Sequence, residues 1–304
     1  MEGFAQRLKE NICRVLIGKE QTVELAITAL VAGGHLLIED RPGVGKTLLA
    51  RSLARSLDVP FQRLQCTADM LPADILGAQV YHPNTGEIVF RPGPVFTNVL
   101  LADELNRTPP RTQSALLECM QERHISMDRQ VHELPDPFFV VATQNPLQFA
   151  GTYPLPESQL DRFLMRIAIG YPDSQDEIAI VTAEDGHEQL LNVASVATVD
   201  DLKGVKVKLQ AVQVEAELVS YIVELVNRTR SSGDVLLGVS SRGAQALHRA
   251  CRARAVCHAR DYVVPEDVRV LAKPAFAHRM RTRGGEAATE AVLSEIMDST
   301  TMPS

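Results

Sequence analysis

The sequence predicts an α/β protein, a parallel sheet with helices on both faces, followed by an all-helical C-terminal region. Three observations carry that prediction. Short apolar runs alternate with helical stretches from residue 35 to about residue 170, and strands joined by helical crossovers pair in parallel. The runs are apolar throughout, as strands covered on both faces are. After Gly170 the texture changes, and from about residue 200 only helical periodicity remains.

Taken in order, residues 5–32 have apolar positions at helical spacing, broken at 16–21 (LIGKEQ) by a turn containing Gly18. HLLIE (35–39) reads as a strand, KTLLARSLARSL (46–57) as a helix and FQRLQC (61–66) as a strand. NVLLADE (98–104) is the next strand, PPRTQSALLECMQE (109–122) a helix, FFVVATQ (138–144) a strand and RFLMRIAIG (162–170) the last strand. Two stretches interrupt this rhythm, 81–96 and 124–134. Each holds two β-prone pieces around a turn, so each predicts an inserted hairpin. YPDSQDE (171–177) is acidic and turn-rich and reads as part of a linker. The expected division is an αβα core over 1–170, a linker over 171–199 and a helical domain over 200–304.

A chain of 304 residues with 45% hydrophobic content buries a sizeable core. The N-terminus MEGFAQRLKE carries charges where a signal peptide is apolar, and no run of 18 apolar residues occurs. A cytoplasmic protein without membrane insertion is expected. Five cysteines (13, 66, 119, 251, 257) lack C-x-x-C or zinc spacing and are expected to be inert thiols. The formal net charge of −7 is unevenly spread: residues 242–283 hold ten Lys or Arg against three Asp or Glu.

The stretch LLIEDRPGVGKTLLARSLA (37–55) runs a strand into a glycine turn and then a helix opening on Lys-Thr. In such a loop, backbone N–H groups of Pro42-Gly43-Val44-Gly45 and the helix N-terminus surround phosphate oxygens. Lys46 reaches the outer phosphates, and the Thr47 hydroxyl binds Mg²⁺. The usual pattern G-x-x-x-x-G-K-[ST] is broken at its first position, where Asp40 stands. VLLADELNR (99–107) ends a strand on Asp103 and Glu104: the Asp is placed to hold Mg²⁺ and the Glu to polarise a water attacking the γ-phosphate. FFVVATQ ends on Asn145-Pro146 at the carboxyl edge of the sheet, where ligands of such sheets bind.

The segments IEDRPGVGKT, LLADELNR, VVATQNP, LPESQLDRF, GVSSRGAQAL and ARDYVVPEDVRVLAKPAFAHRM together resemble the MoxR family of AAA+ ATPases, over roughly residues 10–280. The resemblance implies a P-loop AAA+ core with a helical lid. It implies Lys46 and Thr47, with the flanking Leu48, as Walker A, Asp103 and Glu104 as Walker B, and Asn145 as sensor 1. It further implies Arg162 as the arginine finger donated to a neighbouring subunit, Arg242 as the sensor 2 arginine, and Ile17 and Gly18 as adenine-lining residues. Ser241 stands where the family more often has proline. The implied ligands are ATP and Mg²⁺. The implied partners are other copies of the chain in a head-to-tail ring, a hexamer, and a protein client, often one with a von Willebrand A domain.

The two hairpins carry no phosphate chemistry and are expected to contact the client. An arginine-rich lid facing the triphosphate accounts for the basic stretch. Few aromatics accompany it and no Trp occurs, so nucleic acid is not the expected partner. A nucleic-acid motor and a nucleotide-gated switch with negligible turnover stand as the alternatives. His35, at the start of a buried strand, is expected to be a satisfied core residue.

Overall fold

A computed structural model describes residues 3–84, 86–127, 130–146, 151–182, 190 and 193–303. The chain enters through helices α1 (Phe4–Cys13) and α2 (Glu20–Val31). It then alternates β1 (Leu36–Glu39), α3 (Lys46–Ser56), β2 (Phe61–Gln65) and α4 (Pro72–Leu76). A hairpin of β3 (Gly77–His82) and β4 (Glu87–Pro92) leads to β5 (Val99–Asp103) and α5 (Pro110–Glu122). A second hairpin, β6 (His124–Met127) and β7 (Gln130–Glu133), leads to β8 (Phe139–Gln144), α6 (Glu157–Leu160) and β9 (Met165–Ile167).

Five strands form one parallel sheet in the order β2-β5-β8-β1-β9. Side chains alternate across it. Leu36, Ile38, Val99, Leu101, Phe139 and Val141 enter one buried cluster with α1, α2 and α3. Leu37, Leu100, Ala102, Val140 and Ala142 enter another, with Leu116, Leu117 and Met120 of α5. Both faces of the central strands β1, β5 and β8 are dry, which is why those strands read as apolar runs, whereas the edge strand β2 carries Gln62, Arg63 and Gln65 in exposed positions. The carboxyl ends of β1, β5 and β8 finish side by side at Glu39, Asp103 and Gln144, and that edge carries the site.

The first cluster continues into the C-terminal helices α8 (Val199–Ala211), α9 (Ala216–Ser231), α10 (Ser241–Cys257), α11 (Pro265–Phe276) and α12 (Glu286–Ser299), through Leu202, Leu225, Leu247 and Phe276. This region also holds a short antiparallel ribbon, β10 (Val235–Leu237) with β11 (Arg281–Thr282). Strands of three and two residues are too short to leave a period-two signal. Among the described residues no helix is long and apolar enough to cross a membrane.

Three sequence expectations shift. The first hairpin spans 77–92, not 81–96, because Gly77 packs where a Cβ would meet Arg91 O at 2.3 Å, so pairing starts at a residue with no strand propensity. The last strand shortens from 162–170 to Met165–Ile167, since Ile169 and Gly170 turn their N–H groups to Asp40. The expected linker contains a helix, α7 (Ser174–Thr182), capped by Asp173, whose carboxylate accepts from the N–H groups of Gln175 and Asp176. Residues 183–189 and 191–192 of that linker, residue 85 of the first hairpin and residues 128–129 of the second lie outside the described residues.

Candidate functional site

The loop between β1 and α3 crosses the carboxyl edge of the sheet. Gly43 and Gly45 hold φ of 83° and 99°, a left-handed backbone that glycine adopts without cost. A side chain on Gly45 would also strike Leu16 Cδ1 at 2.8 Å. Lys46 opens α3 and turns its ammonium back over the loop onto the carbonyl of Asp40, 3.4 Å from that of Gln144. Burial lowers its pKa, partly offset by Asp40, Asp103 and Glu104. The ammonium is thus held at the strand ends.

Asp40, the residue that breaks the usual loop pattern, has a structural task. Its Oδ2 accepts from the N–H groups of both Ile169 and Gly170 at 2.7 Å, and its Oδ1 accepts from Arg41 N–H. The carboxylate therefore pins the end of β9 to the start of the loop, a contact glycine cannot make.

A cleft of about 390 Å³ lies over this loop, lined by Pro42, Gly43, Gly45, Lys46, Thr47, Leu48, Arg63, Gln65, Asp103, Glu104 and Asn145. Asp103 Oδ1 accepts from Thr143 Oγ1 at 2.7 Å, and Oδ2 pairs with Arg63 at 2.6 Å. Thr143, fully buried on β8, also accepts from Glu104 N–H at 2.8 Å. One hydroxyl thus sets both acids. Glu104 sits at φ 57°, ψ 49° and pairs with Arg107 at 2.8 Å, with Gln65 Nε2 3.5 Å away. Asn145 is buried at the neighbouring strand end.

A second cavity of about 340 Å³ adjoins the loop. Ile17, Val44 and Leu48 line it, with Tyr171, Ile180 and Val181 from the α7 segment closing the far side. Its walls are mostly apolar, with Lys19 and Glu177 the charged residues among them, and its size suits a planar heterocycle. Gly18 is not in its lining but lets α7 approach, since a Cβ there would overlap Asp176 Oδ2 at 1.8 Å. Sequence reasoning missed this wall; the Asp173 cap followed by Asp176 and Glu177 is the helix-start signal that marks it.

The structure gathers Pro42, Gly43, Gly45, Lys46, Thr47, Leu48, Asp103, Glu104 and Asn145 around one cleft and places Val44 and Ile17 on the adjoining cavity. It does not bring Arg162 or Arg242 there. Arg162 follows α6, half-buried, its backbone N–H bonded to Gln159 O. Arg242 is exposed on the first turn of α10, its Nη2 3.4 Å from Gln121 Oε1. The two segments are nevertheless joined, for Ser240 Oγ bonds Asp161 Oδ2 at 3.1 Å. Arg63, Gln65, Arg107 and Thr143 were not foreseen. Only Arg63 and Gln65 carried a signal, as polar residues inside an otherwise strand-like run.

Comparison with known proteins agrees with this geometry. Residues 35–165 match the family model "ATPase family associated with various cellular activities (AAA)", and residues 227–298 match the AAA lid domain. The uncharacterized protein YeaC of Bacillus subtilis is 44% identical over 97% of this chain and 93% of its own. Chaperone MoxR1 of Mycobacterium tuberculosis is 36% identical over 96% of this chain and 81% of its own. Protein MoxR of Paracoccus denitrificans is 31% identical over 88% of this chain and 85% of its own. The crystal structure of a candidate ATPase from Cytophaga hutchinsonii superimposes with a TM-score of 0.88 at 34% identity, covering 98% of this chain and 94% of that one. With a parallel sheet, a helical C-terminal region and relatives of this kind along nearly its whole length, the chain belongs to the MoxR family of AAA+ ATPases.

Proposed function

We propose that this chain hydrolyses ATP in the Lys46 cleft, as a subunit of a head-to-tail ring that remodels a protein client. The observation that carries the reading is the convergence on one cleft of the glycine loop, Lys46, Thr47, the Asp103-Glu104 pair and Asn145. Lys46 and the loop N–H groups hold the phosphates, and Ile17, Val44, Leu48 and Tyr171 hold the base.

Mg²⁺ would be held by the Thr47 hydroxyl and the Asp103 carboxylate, hard oxygen donors of the kind this ion takes alongside substrate phosphates. Asp103 Oδ2 already holds a cation, the Arg63 guanidinium at 2.6 Å, and Mg²⁺ would take that place as the half-exposed arginine swings aside. When bound, the ion would supply positive charge against the phosphate oxygens. Asn145 orients the attacking water and Glu104 accepts its proton. A glutamate kept in left-handed backbone costs about 1 kcal/mol, and a carboxylate that only stored nucleotide would not need that position.

Arg162 and Arg242 lie outside their own chain's cleft; Arg162 acts on the adjacent subunit's phosphates, and Arg242 is the sensor 2 arginine of the lid. A trans-acting residue requires a heterologous contact, which closes as a ring. The relative named Chaperone MoxR1 supports a protein client. The hairpins offer the surface for it: Val80, Tyr81, Ile88, Val89 and Val131 are exposed, and the stacked rings of Phe90 and His132, 4.1 Å apart, join the two hairpins, with Tyr81 and Ile88 on the Phe90 face of the first and Val80 and Val89 on its other face.

Subunit mixing tests the ring. An Arg162→Ala chain binds ATP but hydrolyses about 10³-fold more slowly, as loss of an arginine finger does, and a Glu104→Gln chain is also slow. Mixed under conditions of subunit exchange, intact Arg162 from one chain meets intact Glu104 in the other. Turnover rises above both parents. If exchange is shown and no activity returns, Arg162 acts within its own chain.

A further inference from the structure

Arg279 is a cation with almost no contact with water: its side chain is 3% exposed. It lies at the end of the 3₁₀ turn Ala277–Arg279 after α11, in the helical region. All five of its N–H donors find an oxygen. Nε donates to Asp161 Oδ1 at 2.6 Å, and Nη2 to the carbonyls of Asp161 at 3.2 Å and Phe163 at 2.6 Å. Nη1 donates to the carbonyl of Leu164 at 3.1 Å and to that of Ala275. Four of the five acceptors therefore belong to residues 161–164, the segment that carries Arg162. His278 adds a contact with Phe163 O at 3.2 Å.

The same Asp161 reaches the helix that carries Arg242. Its Oδ2 accepts from Ser240 Oγ, and Ser240 caps α10 by accepting from Gly243 N–H at 3.1 Å. Gly243 gives the stem of Arg279 room, since a Cβ there would stand 2.9 Å from Arg279 Cδ. A rigid planar fork thus fixes a short loop from three sides. That density of contacts exceeds what tethering two regions requires: a single ion pair would do that, whereas carbonyl-by-carbonyl bonding sets the loop's shape.

We propose that Arg279 is the positioning residue for Arg162, holding its loop at a set angle to the lid so that the lid of one subunit controls hydrolysis in the cleft of its neighbour. This rests on the ring reading above. A lid displaced relative to its core moves Arg279, and with it the backbone on either side of Arg162. Misplacing a catalytic group by about 1 Å costs on the order of a hundredfold in rate, so the coupling needs no large motion. The side chain of Arg279 itself touches no phosphate; it acts through the loop.

The test separates the donor of Arg162 from the acceptor. Three mixtures are prepared under subunit exchange, and ATP turnover is measured alongside nucleotide affinity. The reference is Glu104→Gln mixed with Arg162→Ala, whose recovery establishes the ring by itself. In the second, the donor carries Glu104→Gln and Arg279→Gln, and the acceptor Arg162→Ala. In the third, the donor carries Glu104→Gln alone, and the acceptor Arg162→Ala and Arg279→Gln.

The proposal expects the second to recover about a hundredfold less turnover than the reference, the third to match the reference, and affinity to stay unchanged in all. Where Arg279→Gln does not fold, Asp161→Asn takes its place in both arms, since it keeps every backbone acceptor, and the same asymmetry is expected. Equal loss in both arms identifies Arg279 as a structural residue, and full recovery in both identifies it as dispensable; either result overturns the proposal. Absence of recovery in the reference overturns the ring reading and this proposal with it.

Discussion

Thr143 shows how much one buried hydroxyl decides. It donates to Asp103 and accepts from Glu104 N–H, so it orients the metal-binding carboxylate and fixes the strained backbone from which Glu104 projects. Thr143→Val keeps the volume and the β-branching but leaves that N–H without its partner. The expected outcome is a folded protein whose Mg²⁺-dependent turnover falls about 10- to 100-fold, the usual cost of losing a group that orients a metal ligand. A magnesium titration of turnover checks it; wild-type rates at every concentration would remove Thr143 from the site. Asp40 teaches the converse. Viewed as a departure from the glycine pattern it looks like a defect, whereas its two bonds to Ile169 and Gly170 tie the loop to β9.

At the scale of elements, the junction of β1, β8 and α5 turns on His35. Its Nδ1 accepts from Val140 N–H at 3.0 Å and its Nε2 faces Met120 O at 2.9 Å, so the ring is neutral with the proton on Nε2. Burial pushes its pKa down to about 4, with Arg123 and Arg249 adding to the effect. The unfolded chain takes up a proton near 6.5 while the folded one does not. Stability is therefore full above pH 6.5 and falls as pH drops towards 4. The expected loss from this ring is about 1.6 kcal/mol between pH 6.5 and 5, read by urea unfolding at the two values as the difference between the chain and a His35→Gln variant, since burial also lowers the pKa values of His278 and His248. A flat difference would contradict the assigned tautomer. The buried pair of Asp267 with Arg254 and Arg260 does not confuse this window, because those bonds, outweighing burial, hold the Asp267 carboxyl below its ordinary range.

The elements also show what was legible. The central strands β1, β5 and β8 appeared as apolar runs because both their faces are buried, and the phosphate loop, Asp103, Glu104 and Asn145 announced themselves by position at strand ends. What stayed hidden depends on long-range contacts: Thr143 and Arg63 are ordinary strand residues until β5 lies between β2 and β8. The α7 wall was masked by its turn-forming approach, Tyr171-Pro172-Asp173. The shortened β9 follows from Asp40, 129 residues earlier than Ile169, and periodicity does not see such a partner.

On the whole-molecule scale, six of the ten cations in the basic stretch over 242–283 are engaged within the chain, which leaves Arg242, Arg249, Arg269 and Lys273. Arg254 and Arg260 pair with Asp267, Arg279 with Asp161 and Arg281 with Glu157, while Arg252 and Arg283 bond the carbonyls of Leu209 and Gly233. A groove that tracks a phosphate backbone needs unpaired cations. Turnover is therefore expected to be unchanged by single- or double-stranded DNA at low salt, and salt-dependent stimulation would favour a nucleic-acid motor. The central claim, that the cleft hydrolyses ATP with Glu104 taking the water's proton, is tested most directly by comparing affinity and turnover in Glu104→Gln. The substitution keeps size and removes charge. The account predicts Mg-ATP binding equal to that of the unaltered chain and turnover reduced by about 10²- to 10⁴-fold, the share a general base supplies; a Glu104→Gln chain that keeps most of its turnover would contradict it.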